Sequence, residues 1–262
     1  MEHLIQGKNL ALCCIRICSR DDDLPVFVTD KITDKTILSS KDNANVFPLY
    51  LYEENMGKME RRANLDKDIV AKIEEAADAQ ELVPPIDIFD YIYGVLHSPA
   101  YRAKFKEFLK SDFPRIPYPK DAAEFARFRD AGRTLRETHL MRDAVPPLSE
   151  PTARYPLPGD NVVDSVRFEI LTQSHRDSEN ASVPPSLCAS VLKQNGRVWI
   201  NPTQYFDNVP LAAWEQAIGG YHPAEKWLKD RKGRALSPDD LRHYQRIILA
   251  LARTHEVMDG LG

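Results

Sequence analysis

Asn201-Pro202-Thr203-Gln204-Tyr205 is the segment of this sequence that comes nearest to a catalytic motif. Amino-methyltransferases hold a target base in an Asn-Pro-Pro-Tyr type loop, where the side-chain amide and a proline carbonyl accept the exocyclic amine. That chemistry also needs a glycine-containing strand-to-helix turn for the methyl donor, and the 11 glycines include no such cluster ahead of Asn201. The segment is therefore expected to be a strand exit closed by a turn. The same scarcity of glycine removes a Walker loop and a dinucleotide fingerprint, since neither Gly-Lys-Ser/Thr nor Gly-x-Gly-x-x-Gly occurs.

Metal chemistry fares no better. His97, His139, His175, His222, His243 and His255 are far apart, and none belongs to a His-Glu-x-x-His arrangement. The acidic run Asp21-Asp22-Asp23 lacks the following Glu-x-Lys that a two-metal nuclease would use, so a solvated turn accounts for it. Of four cysteines, Cys13, Cys14 and Cys18 crowd one strand and Cys188 is remote, which is neither zinc spacing nor a disulfide framework. The expectation is a chain with no catalytic residue, no metal and no cofactor of its own.

What stands out instead is cationic. The net charge is −4, yet two zones are basic. One runs from Tyr101 to Arg142 and includes Arg115, Lys120, Arg127, Arg129 and Arg133; the other runs from Glu225 to Arg246 and includes Lys229, Arg231, Lys232 and Arg234. Basic zones on an acidic whole suggest a surface that faces phosphates, although cationic helix stripes are commonly neutralised by acids four residues away. Arg231-Lys232-Gly233-Arg234 is the sharpest candidate, three cations around a glycine between two capped helices.

The elements that must carry these residues alternate in blocks. Leu10–Ile15, Pro25–Thr29 and Asn45–Tyr52 read as strands, and Glu53 to Asn64 as a polar loop. Helical spacing follows over 66–80, 86–97 and 100–110, the last launched by Ser98-Pro99 as cap and first residue. Phe113 to Pro119 has three prolines in seven residues and must be an extended strap. A further helix is expected over 121–142, then strands at 162–171 and 197–201 with Asn195-Gly196 as a hairpin turn, a surface loop at 173–185, and helices at 210–217, 223–231 and from Ser237 to about Met258. The fold class is α+β: two blocks of mainly antiparallel strands interleaved with helical segments and ending in a helical pair.

At 262 residues and 43% hydrophobic content the chain can bury a proper core. No apolar run approaches the roughly 20 residues that span a bilayer, and the first residues lack a signal-peptide pattern, so no membrane association is expected and a cytoplasmic location is. The chain reads as one domain over 1–262, divisible into lobes of about 1–145 and 146–262. Trp199, Trp214 and Trp227 sit in apolar patterns and are expected in packing.

Three stretches carry a resemblance. Asp90-Tyr91-Ile92-Tyr93-Gly94-Val95-Leu96-His97-Ser98-Pro99-Ala100-Tyr101-Arg102 running into Phe108–Pro117, Ile218–Arg234 followed by Asp240–Arg246, and Val46–Tyr52 together resemble the C-terminal specificity (target-recognition) domain of type ISP restriction-modification enzymes. A departure is Arg16-Ile17, where the family pattern has an Arg-Gln pair. The resemblance implies sequence-specific recognition of double-stranded DNA by a non-catalytic domain. It also implies upstream nuclease, translocase and adenine-methyltransferase parts, absent here, which would use S-adenosylmethionine, ATP and Mg. Under it the two basic zones, with Arg16 and Arg20 at the end of the first strand, become the candidate DNA contacts. The rival expectation is a protein-interaction module that docks on the methyltransferase domain and does not itself touch DNA.

Overall fold

The computed structural model describes residues 2–17, 25–38, 42–79, 81–142, 152–171, 194–218 and 220–262. Arg20, Asp21-Asp22-Asp23, Cys18, Cys188 and the expected loop at 173–185 lie outside them. The chain divides into two units, one of residues 1–145 with 256–262 and one of residues 146–255.

The first unit begins with a short helix α1 (Glu2–Ile5) and a three-stranded antiparallel sheet, β1 (Ala11–Ile15), β2 (Val26–Thr29) and β3 (Ala44–Pro48), in the order β2-β1-β3. The central strand β1 shows little polar alternation because both its faces are covered. Leu10, Leu12 and Cys14 join the main core, while Cys13 and Ile15 pack with Leu38. Burial pushes the Cys13 thiol up to about 11 and the Cys14 thiol to about 12, so both stay protonated and behave as small apolar residues.

The expected polar loop at 53–64 is instead a hairpin. Strands β4 (Tyr50–Asn55) and β5 (Lys58–Ala63) pair antiparallel as a separate two-stranded sheet. Its turn places Met56 (φ 49°) and Gly57 (φ 75°) both at positive φ, as a primed hairpin turn requires. Every residue from Glu53 to Arg62 is exposed, so neither face needs apolar residues and the alternation that marks a strand is missing.

Four helices follow: α2 (Lys67–Ala76), α3 (Pro85–His97), α4 (Pro99–Leu109) and α5 (Ala122–His139). Their caps are those the residues dictate. Asp66 accepts from the amides of Asp68 and Ile69, Ser98 from that of Tyr101, and Asp121 from that of Glu124. The strap from Phe113 to Pro119 is neither helix nor strand and is fixed by Tyr91, whose hydroxyl donates to the Pro117 carbonyl, and Tyr101, whose hydroxyl donates to that of Arg115.

Helix α3 is the core of this unit, with Ile88, Phe89, Tyr91, Tyr93, Val95 and Leu96 all buried. It crosses α5 at glycines. A Cβ on Gly94 would lie 2.1 Å from the Phe128 carbonyl oxygen, and one on Gly132 would lie 1.8 Å from that of Asp90. The two backbones are in contact.

At the C-terminal end of α3 a polar cluster is buried with the apolar residues. The Tyr93 hydroxyl and His139 Nδ1 are hydrogen-bonded at 2.6 Å, and His97 Nδ1 donates to the Tyr93 carbonyl at 2.8 Å. Phe27 stacks on His139 at 5.1 Å. Burial, with the Arg102 charge nearby, lowers His139 to about 4 and holds His97 well below the usual value near 6.5. Both imidazoles are therefore neutral in the folded protein at pH 6, where an unfolded chain would bind protons on them. Stability is fully present above pH 6.5 and is lost as pH falls from there towards 4. Thermal unfolding across pH 4 to 8 is expected to show that decline. Replacing His139 by Phe, which also forfeits the Tyr93 bond, should reduce that decline, and an unchanged profile would exclude His139 as a source of it.

The second unit holds the antiparallel sheet β6-β7-β8, formed by β6 (Arg167–Ile170), β7 (Asn195–Trp199) and β8 (Tyr205–Pro210). Asn195-Gly196 is not a turn. Both residues lie in the central strand, Gly196 opposite Ile170 and Val209. A Cβ there would lie 2.3 Å from the Phe168 ring, and a register shift follows between Gly196 and Val198. The glycine is needed for close approach across the sheet, and pairing on both sides overrides its local turn preference.

Helices α6 (Leu211–Glu215), α7 (Pro223–Lys229) and α8 (Pro238–Asp259) complete the chain. Phe206, Val198, Leu228, Tyr244 and Ile248 are buried, with Phe206 against Tyr244 at 4.5 Å and Phe168 stacked on Trp214 at 5.2 Å. The mixed α+β architecture with terminal helices matches the expectation. Among the described residues no helix is long and apolar enough to cross a membrane.

Candidate nucleic-acid interface

The Asn201 segment is a structural hub. Asn201 Oδ1 accepts from the amides of Thr203 and Gln204, closing a turn, while its Nδ2 donates to the Val162 carbonyl and to Gln204 Oε1. The fully buried Gln204 in turn accepts from the Asn161 amide and donates Nε2 to Asn161 Oδ1 and the Leu157 carbonyl. These side-chain amides spend their hydrogen bonds inside the protein, which excludes a base-holding role for them.

The hub positions the basic loop. The segment anchored by Asn161 runs alongside residues 233–236: the Gly233 amide donates to the Val163 carbonyl, the Val163 amide to that of Arg234, and the Leu236 amide to that of Asn161. Gly233 takes φ 77°. Beyond the loop, Ser237 and Asp240 cap α8 reciprocally, Ser237 Oγ accepting from the Asp240 amide and the Asp240 carboxylate from the Ser237 amide. Those contacts, the Ser237 amide bond first, hold Asp240 below the usual carboxylate range.

The cations of this loop have different tasks. Arg231 is part of the fold: its guanidinium lies 3.5 Å from the Trp227 ring centre, Nη1 donates to the Trp227 carbonyl, and Nε is 3.7 Å from Asp240. Arg234 reaches Asp240 at 2.8 Å with its side chain 55% exposed. Lys232 is exposed and makes no ion pair among the described residues. Lys229 pairs with Glu225 one helical turn away.

In the first unit the candidate cations also divide. Arg129 and Arg133 approach Asp87 of α3 at 3.9 and 3.0 Å, and Arg133 lies 3.7 Å from Asp90. Behind them Arg136, buried, grips the buried Asp90 through Nε–Oδ1 at 2.6 Å and Nη2–Oδ2 at 3.0 Å, and it also pairs with Glu137. Much of this stripe thus holds α5 to α3. Arg127 stacks on Phe128, Arg115 on Phe108, and Lys120 pairs with Glu124. Arg16 is exposed, bonded to Asp112 at 3.1 Å and set over Phe113. The Phe113 amide and then Arg16 keep the Asp112 carboxyl low.

Two charged surfaces were not singled out from sequence. On the outer face of β6-β7-β8, Arg167 lies over Trp199 and Arg197 over Tyr205, with Asp207 held by Arg154 and Arg197. The other is the hairpin β4–β5, where Lys58, Arg61 and Arg62 stand beside Glu53, Glu54 and Glu60. The signal for the first was alternation of Arg167, Glu169 and of Arg197, Trp199 along their strands; for the second it was Met56-Gly57 between polar runs.

The family model of the Type ISP C-terminal specificity domain matches residues 1–260. The chain belongs to that family. This specificity domain is similar in fold to three solved structures. The ATP-dependent Type ISP restriction-modification enzyme LlaBIII bound to DNA has 17% identity and a TM-score of 0.65, covering 98% of this chain and 16% of that one. A nuclease-deletion mutant of the Type ISP enzyme LlaGI in complex with a DNA substrate mimic has 22% identity and a TM-score of 0.59, covering 98% and 21%. The DrdV–DNA complex has 22% identity and a TM-score of 0.59, covering 98% and 24%. The specificity domain thus corresponds to less than a quarter of the length of each. No curated protein matches its sequence. Among its described residues no group of three or more His, Cys, Asp or Glu could hold a metal.

Proposed function

We propose that this specificity domain recognises double-stranded DNA and performs no chemistry itself. The observation that carries the reading is the family match over residues 1–260. Within it, Lys232 and Arg234 act on phosphates from a loop whose backbone is fixed on both sides, Arg231 holds that loop by stacking on Trp227, and Arg16, Arg115, Lys120 and Arg127 supply contacts from the first unit. Arg129, Arg133 and Lys229 act chiefly on their acidic partners, and Arg20 belongs with Arg16. Phosphate contacts set register and orientation, leaving sequence to be read elsewhere on the surface. In the parent protein the domain would present the duplex to an upstream adenine methyltransferase in the cytoplasm. S-adenosylmethionine, ATP and Mg would serve the catalytic parts.

The test is binding of the chain to random-sequence duplex over a salt series, beside a Lys232→Ala/Arg234→Ala variant that spares the folded Arg231. Binding that weakens with salt is expected, with a log–log slope shallower by about 2 in the variant, because each phosphate contact contributes roughly 0.9 to the slope. An unchanged slope removes the loop from the interface. No binding by either protein at low salt favours a module that docks on its methyltransferase.

A further inference from the structure

We propose that the β4–β5 hairpin is the element that enters a groove of the duplex and reads bases, with Met56 at its tip against the base pairs; this rests on the DNA-recognition reading above. The hairpin is built to stand away from the fold. Its base is tied down, since Asn9 bonds both the amide and the carbonyl of Tyr50, the Tyr52 hydroxyl donates to the Lys8 carbonyl, and the Asn64 amide donates to that of Leu49. From Glu53 to Arg62 every residue is exposed, and among the described residues nothing covers it on either face. Three residue rises from Glu53 to the tip give a reach of ~10 Å, against a major groove about 8.5 Å deep and wide enough for a two-stranded ribbon.

Folding does not explain the tip. Met56 is 100% exposed and sits in the left-handed region at φ 49°, where asparagine, aspartate or glycine is the ordinary choice. A long apolar side chain there buries nothing among the described residues. Met59, on the next strand, is also 52% exposed. Against base edges, an apolar tip meets thymine methyl groups.

The charge of the ribbon fits a reader rather than a clamp. Lys58, Arg61 and Arg62 are balanced by Glu53, Glu54 and Glu60. Arg62 bonds Glu53 at 2.8 Å, and Arg61 lies over Tyr50, so two of the three cations are already engaged. A neutral ribbon adds little to general attraction by phosphates, but its donors and acceptors can discriminate base pairs, a glutamate accepting from a cytosine amine. The basic loop and the hairpin therefore separate grip from reading.

The experiment is repeated selection from a random-sequence duplex pool by the wild-type chain and by Met56→Asn and Glu54→Ala variants, with affinity for unselected duplex measured in parallel. Both positions are exposed, so unfolding temperature should not fall, and Met56→Asn suits the turn better. Wild type is expected to enrich a defined motif. On unselected duplex the variants should bind no more weakly than wild type and with no shallower salt slope, since neither loses a cation, yet they should lose preference at one or two positions of the motif by roughly five-fold or more. Variants that enrich the same motif with equal preference overturn the hairpin's role and leave DNA recognition standing. A wild-type chain that binds duplex but enriches nothing also overturns it, and one that binds no duplex overturns both.

Discussion

Gly132→Ala is expected to destabilise the first unit by about 3 kcal/mol or more, although the same change in an exposed helix would stabilise it by up to roughly 1 kcal/mol. The sign reverses because of what lies opposite. The added methyl would sit 1.8 Å from the Asp90 carbonyl oxygen and 2.8 Å from the Gly94 amide nitrogen, both of them backbone atoms of α3. No side-chain rotation relieves that contact, so α3 and α5 must part. Parting them loosens the contacts of Tyr91 with Phe125 and Phe128 and stretches the Arg136–Asp90 pair. Urea unfolding monitored by circular dichroism measures the effect. Stability equal to or above wild type would mean that the helices can separate at no cost and that the glycine contact does not define the core.

That contact shows where the sequence is informative. The caps at Ser98 and Ser237 were legible because a cap is a local exchange between one side chain and amides two or three residues on. The strap at 113–119 was legible for the same reason, three prolines leaving few alternatives. Gly94 and Gly132 were not, since their requirement lies on another helix. Asn195-Gly196 was misleading: its turn preference is local, while its pairing with Ile170 and Val209 comes from strands distant in the chain. The hairpin at 50–63 escaped because exposure on both faces removes the apolar alternation that a strand normally shows.

The candidate interface was legible in outline only. Clustering of cations is visible in a sequence, but their engagement is not. Arg133 bonds Asp87 and Arg136 bonds Asp90, each across 46 positions, so counting acids at helical spacing could not reveal that this stripe is largely committed. The Trp227–Arg231 stack was within reach, because the two residues are four apart, one helical turn. Lys232 and Arg234 remain as the exposed cations of their loop only because Arg231 turns inward. The division of labour follows from packing, which composition does not encode.

Arg136→Met should cost the first unit roughly 3–5 kcal/mol at neutral pH, the range for removing one partner of a buried ion pair. Asp90 is fully buried, and burial already pushes its carboxyl above the usual range despite Arg136 and Arg133. Without Arg136 the ion pair left to it among the described residues is the more distant Arg133, at 3.7 Å, so the folded-state value rises further. The sign of the pH dependence follows. A carboxyl with a raised folded value contributes fully below its unfolded value near 4 and loses that contribution as pH rises through the folded value. The penalty of Arg136→Met is therefore smaller in acid than at pH 8. Subtracting variant from wild type at each pH removes the common decline due to His97 and His139. Adding Asp90→Asn to Arg136→Met removes the stranded charge, and the double variant should recover much of the loss and show a penalty that no longer grows with pH. If the single variant loses the same stability at pH 5 and pH 8, the penalty arises from lost packing of the arginine stem and not from an uncompensated carboxylate.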